Sequence, residues 1–148
     1  MGSTCIYPKE APQPIKETDL LTGPLESTNQ WYAIAKIAGM KLCQAYRKQH
    51  GCDFISAMPT NLYGPHDNFD HKTGMVIPSL IKKFCKNSKK VDVWGDGSNL
   101  RDFIYSKDVA RAMLYVMYKS PKKPINLGSG TGISIRDLVN KINKIFLK

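Results

Sequence analysis

The sequence predicts an α/β fold built on a mainly parallel sheet, and three observations carry that expectation. Short apolar runs of strand length alternate with longer segments whose apolar residues recur at helical spacing. Gly, Pro, Asn and Asp cluster between the two kinds of segment, where turns belong. The 148 residues, 42% hydrophobic and 9% aromatic, are chain enough for a sizeable core. No internal repeat or low-complexity tract breaks the pattern.

The elements follow in order. Met1-Gly-Ser-Thr4 reads as the exit of a strand. Residues 8–24 hold four prolines among polar residues and are expected as a surface loop. Ser27-Thr-Asn-Gln30 matches a capping box opening a helix that runs to about Gln49. Ala33, Ile37 and Met40 form its packing face, and the small Gly39 suits a close neighbour. His50-Gly51 ends it. Residues 53–58 read as a buried strand halted at Pro59, followed by a long polar loop over 59–74. A helix is expected over 77–87. Residues 91–94 form a short strand closed by the turn Gly95-Asp-Gly97, and 101–105 are extended. Residues 107–119 place Val109, Met113, Val116 and Met117 at helical spacing. Residues 125–127 form a strand leading into Gly128-Ser-Gly-Thr-Gly132. Ser134 then caps a last helix that buries Ile135, Leu138, Ile142 and Ile145.

Charge and cysteine usage narrow the function classes. The net charge is +10, from 22 basic and 12 acidic residues. The excess is mostly Lys, spread over several elements without an interleaved aromatic stripe, which argues against a nucleic-acid partner. It suits solubility or attraction of an anionic small molecule. No stretch approaches the ~20 apolar residues of a membrane span, and the N-terminus has no secretory pattern. Cys5, Cys43, Cys52 and Cys85 are scattered, and with His50, His66 and His71 they offer no metal-ligand spacing. Reduced thiols and a cytoplasmic setting are expected.

Several residues could carry chemistry. Tyr32 and Lys36, four apart on a helix, share a face. An ammonium beside a phenol favours the phenolate and makes Tyr a usable proton donor and acceptor near neutral pH. Ser3 and Cys5 lie at a strand exit, the edge where α/β sheets gather ligands. If the chain stays extended they point to one side, as carbonyl-binding hydroxyl and proton-moving thiol; otherwise they are a polar loop start with an incidental Cys. Pro59-Thr-Asn-Leu62 follows the next strand at the same edge. Trp94 and Arg101 flank a glycine turn, and could hold a base and a phosphate or serve as core packing and a surface ion pair. The Gly128–Gly132 spacing fails the Gly-x-Gly-x-x-Gly dinucleotide fingerprint, so a structural turn is expected there.

Taken together, Gly2-Ser-Thr-Cys-Ile-Tyr-Pro8, Tyr32-Ala-Ile-Ala-Lys-Ile-Ala-Gly39 and Met58-Pro-Thr-Asn-Leu-Tyr-Gly-Pro-His-Asp-Asn-Phe69 resemble the extended short-chain dehydrogenase/reductase family. Val93-Trp-Gly-Asp-Gly97, Arg101-Asp-Phe103 and Ile125-Asn-Leu-Gly128 add to the likeness, which runs end to end and is greatest for the GDP-L-fucose synthase branch. The resemblance implies a two-part reaction on GDP-4-keto-6-deoxy-mannose: epimerisation at C3 and C5, then reduction of C4 with NADPH. It implies that Ser3 and Tyr32 hold and protonate the C4 oxygen, that Lys36 binds the nicotinamide ribose, and that Cys5 transfers the epimerisation proton. By the same likeness Pro59, Thr60, Asn61 and Leu62 line the nicotinamide, and Lys83, Trp94 and Arg101 contact the GDP-sugar.

Two departures from the family pattern bear on activity. Its second epimerisation acid/base, a His before Val-Ile-Pro, is Met75 here, and His71 is the substitute within reach by sequence. The family's Gly-x-x-Gly-x-x-Gly phosphate motif is absent. Residues 1–148 are therefore expected to form the middle half of such an enzyme, a partial Rossmann-type parallel sheet interleaved with part of a small α/β substrate domain. That segment is expected to be inactive alone and to need the missing half. A homodimer is also plausible by resemblance, because the family's dimers use helices of this region. The competing readings are a non-catalytic remnant that binds a partner and, less favoured, a basic nucleic-acid-binding module.

Overall fold

The computed structural model describes residues 1–70, 73–86 and 91–146. Two compact units form, each from two stretches of chain: Met1–Thr60 with Lys107–Gly128, and Asn61–Ser106 with Ser129–Lys148.

The first unit starts with an extended Ser3 that turns into a 3-10 turn, Thr4–Ile6. Helix α1, Gln30–His50, follows the proline-rich loop. It starts at Asn29, which makes no side-chain cap bond; the expected capping box is absent because Ser27 Oγ is drawn to Glu26. Gly51 closes the helix at φ 66°, a left-handed conformation that glycine adopts without strain, and donates to Arg47 O at 3.1 Å. Ala33, Ile37 and Met40 are buried as expected, but Gly39 faces open space.

Strand β1 is Ala57–Pro59, shorter than the expected 53–58 and including the proline. Side chains take the place of a ladder before it: Arg47 donates to Phe54 O at 3.2 Å and pairs with Asp53 at 3.2 Å. Pro59 is tolerated because β1 bonds its partner through Ser56 O and Thr60 N, so the residue's missing donor faces the other edge. That partner, β4 (Ile125–Leu127), runs parallel with Met58 opposite Asn126. Helix α3, Ser106–Lys119, buries Val109 and Val116 within this chain segment but leaves Met117 exposed. The core joins Ile37 and Met40 of α1 to Ile6, Tyr7 and Met58.

The second unit holds a three-stranded sheet in the order β2 (Asn61–Tyr63), β3 (Leu100–Tyr105), β5 (Gly132–Ser134). The β2–β3 pair is parallel and β3–β5 antiparallel. β2 lies where a loop was expected, since the Pro59 signal masks a three-residue strand that its neighbour stabilises. Residues 91–94 form no strand; Val91 and Val93 turn into the core without a ladder partner. Helices α2 (Val76–Lys86) and α4 (Ile135–Phe146) pack through Leu80, Phe84, Leu138 and Ile142, with Phe84 stacked on Phe146. Ser134 caps α4: its Oγ accepts from Asp137 N at 3.0 Å and donates to the Asp137 carboxylate at 2.6 Å. Ile145 is exposed rather than buried.

Candidate functional site

The first unit assembles the Tyr/Lys pair with the serine-cysteine turn. One turn of α1 separates Tyr32 from Lys36, and Lys36 Nζ lies 5.6 Å from the Tyr32 ring centroid. The same ammonium donates to Met1 O at 3.3 Å, which draws it to the chain entering Ser3. Tyr32 is 46% exposed, so its ring is open to a ligand.

Ser3 Oγ accepts from Cys5 N at 3.3 Å. That bond uses a lone pair, leaving the hydroxyl proton to donate elsewhere. The expected extended run from Ser3 to Cys5 does not form. The 3-10 turn interrupts it, so Cys5 is exposed on a turn and the alternation argument for a shared side fails. At the end of β1, Thr60 N donates to Leu127 O at 2.9 Å. Thr60 Oγ1 is a buried hydroxyl without a partner among the described residues, and an orphaned buried polar group costs free energy until something bonds it.

The second unit carries the other residues singled out from the sequence. Asn61 donates to Asp102 O at 2.9 Å, while Leu62 is partly exposed. Lys83 donates to Asp92 O at 2.8 Å, which ties it to the segment bearing Trp94. Trp94 is 92% exposed, so the core-packing reading of this residue does not hold. Arg101 is exposed and donates to the neighbouring Leu100 O at 2.8 Å; no acidic partner meets it among the described residues. Met75 is exposed and lies just before α2, where its carbonyl accepts from Ser79 N at 3.0 Å. His71 lies outside the described residues.

Sequence reasoning attached no role to Asp102. Its carboxylate accepts from Ser129 N at 3.1 Å, Ser129 Oγ at 2.6 Å and Gly130 N at 3.3 Å. Glycine loops of this kind can cradle phosphate, but here the chain's own carboxylate fills the cradle, and the glycine run is a structural turn. A run of Arg-Asp on one strand with a Gly-Ser-Gly turn downstream was the available signal. An open groove of about 280 Å³ beside Tyr63, Tyr105 and Ile77 contains none of the residues expected to act.

The profile of the NAD dependent epimerase/dehydratase family matches residues 1–128. The chain belongs to that family. Within it, the chain is 54% identical over 150 residues to GDP-L-fucose synthase from Sinorhizobium fredii, covering 98% of this chain and 48% of that protein. It is 53% identical over 150 residues to the probable GDP-L-fucose synthase 1 of Oryza sativa subsp. japonica, covering 98% and 46%. The solved structure of a GDP-L-fucose synthetase from Naegleria fowleri bound to NADP superposes with a TM-score of 0.88 at 35% identity, covering 99% of this chain and 49% of that one. The chain spans about half the length of the curated relatives it matches. These neighbours agree with the expected Rossmann-type α/β class. No helix among the described residues is long and apolar enough to cross a membrane.

Proposed function

We propose that this chain is the central segment of an NADPH-dependent GDP-sugar epimerase-reductase that converts GDP-4-dehydro-6-deoxy-D-mannose to GDP-L-fucose. The observation that carries this reading is the position of Lys36, 5.6 Å from the Tyr32 ring and bonded to the chain just ahead of Ser3. The names and NADP complex of the similar proteins support it. On this reading the first unit is the end of the dinucleotide-binding sheet and the second is part of the substrate domain.

The residues present fit a nicotinamide cofactor. The orphaned Thr60 hydroxyl lies at the C-terminal end of β1, the edge where α/β sheets bind ligands. Ser3, Tyr32, Lys36, Pro59, Thr60, Asn61 and Leu62 would hold it. NADPH supplies a hydride for reduction at C4 of the sugar. Ser3 and Tyr32 donate hydrogen bonds to the C4 oxygen, and Tyr32 delivers a proton to it. Lys36, its ammonium 5.6 Å from the Tyr32 ring centroid, would bind the nicotinamide ribose. Cys5 moves the proton at a carbon next to the ketone, which the carbonyl acidifies and the Ser3 and Tyr32 donors stabilise as an enolate. Lys83, Trp94 and Arg101 are assigned to the GDP side, with two cations for phosphate and an exposed indole face for stacking.

Met75 favours a second reading, in which the enzyme reduces but completes only the Cys5-dependent part of the epimerisation. A protein joining this segment to a dinucleotide-binding half tests both. NADPH consumption with GDP-4-dehydro-6-deoxy-D-mannose measures the reduction, and NMR of the product reads the stereochemistry at C3 and C5. No NADPH consumption would sink the proposal, and a reduced product not fully inverted at C3 and C5 would select the second reading. The isolated 148 residues are expected to show no turnover. A cytoplasmic setting, and either the missing half of the fold or a second copy as partner, belong to the same proposal. The exposed Trp31, Ile34 and Leu42 on α1 support a face that something covers.

A further inference from the structure

The turn that presents Ser3 and Cys5 is held at both ends by groups outside the expected site. At its start, Gly2 N donates to Ala57 O of β1 at 2.8 Å. At its end, the Tyr7 hydroxyl donates to Asn126 Oδ1 of β4 at 2.6 Å. Tyr7 is only 4% exposed and packs with Ile6, Ile37, Met40 and Met58. Asn126 makes two more bonds: its backbone N donates to Glu17 Oε1 at 2.8 Å, and its Nδ2 donates to Ile15 O at 3.3 Å. Asn126 therefore gathers the cysteine turn and the proline-rich loop onto one residue of a sheet strand. Met58 lies opposite Asn126 in the ladder, so the two anchors of the turn belong to the paired strands β1 and β4.

We propose that Tyr7 and Asn126 are positioning residues for Cys5, clamping the end of its turn to the sheet so that the thiol keeps its place relative to Ser3. This rests on the reading of Ser3 and Cys5 as the groups that act beside the sugar ketone. A sheet is a rigid support, whereas an exposed turn of three residues is not. Within the turn, the bonds are long: Ile6 N to Ser3 O and Tyr7 N to Thr4 O are both 3.3 Å. The short Tyr7–Asn126 bond is the stronger restraint, and the buried phenol, pushed up to about 12 chiefly by burial, stays a protonated donor throughout the physiological range.

The test is amide hydrogen exchange on the full 148-residue chain, read at Cys5, Ile6 and Tyr7, with Thr60 and Ile125 as sheet references. Both reference amides donate across the β1–β4 pair. Tyr7→Phe removes one hydroxyl, and is expected to speed exchange in the turn about tenfold, the worth of one such bond. The two sheet amides should not change. Asn126→Asp keeps an acceptor for Tyr7 and should stay near the unsubstituted rates in the turn, while Asn126→Ala should match Tyr7→Phe. Alkylation of Cys5 by iodoacetamide should rise with the exchange, against an unchanged exposed Cys85. Unchanged turn rates in Tyr7→Phe would overturn the proposal. So would an equal rise at Thr60, Ile125 and half-buried Cys43, because that marks a general loss of stability. Neither readout needs substrate or NADPH, so the clamp can fail while the proposed activity stands, and the reverse.

Discussion

Replacing Asp102 with Ala measures how the strand bearing Arg101 is held. Three bonds disappear together: Ser129 Oγ at 2.6 Å, Ser129 N at 3.1 Å and Gly130 N at 3.3 Å. A bond to a charged group is worth ~1.5–3 kcal/mol when sheltered, but this carboxylate is only half-buried and Ser129 is exposed. Taking the short bond at the low end and about 0.3 kcal/mol for each of the others gives roughly 2 kcal/mol in total. The bond from Asn61 to the Asp102 carbonyl involves backbone and survives the change. A unit this small unfolds with a slope of ~1 kcal/mol per molar urea, so its midpoint should fall by about 2 M. Asp102→Asn keeps one acceptor oxygen and should lose about half as much. Urea titration by far-UV circular dichroism, paired with hydrogen exchange at Ser129 and Gly130, reads both the unit and the turn. A midpoint within about 0.3 M of the unsubstituted chain, with exchange at Ser129 and Gly130 unchanged, would refute the grip.

Four more outcomes are expected. In a protein that joins this segment to a dinucleotide-binding half, Tyr32→Phe should cut kcat by roughly 10²–10⁴-fold. Its circular dichroism should be unchanged because Tyr32 lies on an exposed helix face; near-normal kcat would remove Tyr32 from the proton role. Burial holds the Tyr7 phenol at about 12, with Glu17 and Asp19 adding to the rise. Its contribution to stability is therefore complete below pH ~10 and is lost between about 10 and 12, as the unfolded chain gives up the proton first. Alkaline denaturation should show a loss of up to about 2–3 kcal/mol there that Tyr7→Phe abolishes; an unaltered slope in the variant would count against it. Ser134→Ala should cost about 1 kcal/mol in urea by removing the cap of α4. Met75→His should raise the epimerised fraction of the product in the joined protein, and an unchanged product ratio would show that position to be idle.

Periodicity and caps determined much of this protein directly. α3 starts within one residue of its expected range, α4 starts where Ser134 caps it, and α1 begins two residues later than the Ser27 cap signal marked; the helices themselves were legible because a helix satisfies its own backbone and declares its buried face locally. Gly51 and Ser134 marked helix ends for reasons confined to a single turn of chain. The motif residues around Tyr32 stood out as candidates for a different reason: proton-transfer chemistry calls for particular side chains at particular offsets, whatever the surroundings.

Tertiary structure alone decided the strands and the supports of the site. A strand's hydrogen bonds are made by distant chain, so nothing local could show that Asn61–Tyr63 would pair with β3 or that Asp53 and Phe54 would be taken by Arg47 instead. The turn at Cys5 was hidden by the same limit, since an extended Ser-x-Cys and a 3-10 turn share one sequence. Tyr7 meets Asn126 across 119 positions, and Asp102 fills a glycine turn 27 positions away. The sequence by itself singled out the candidate groups, and long-range contacts decided what holds them in place.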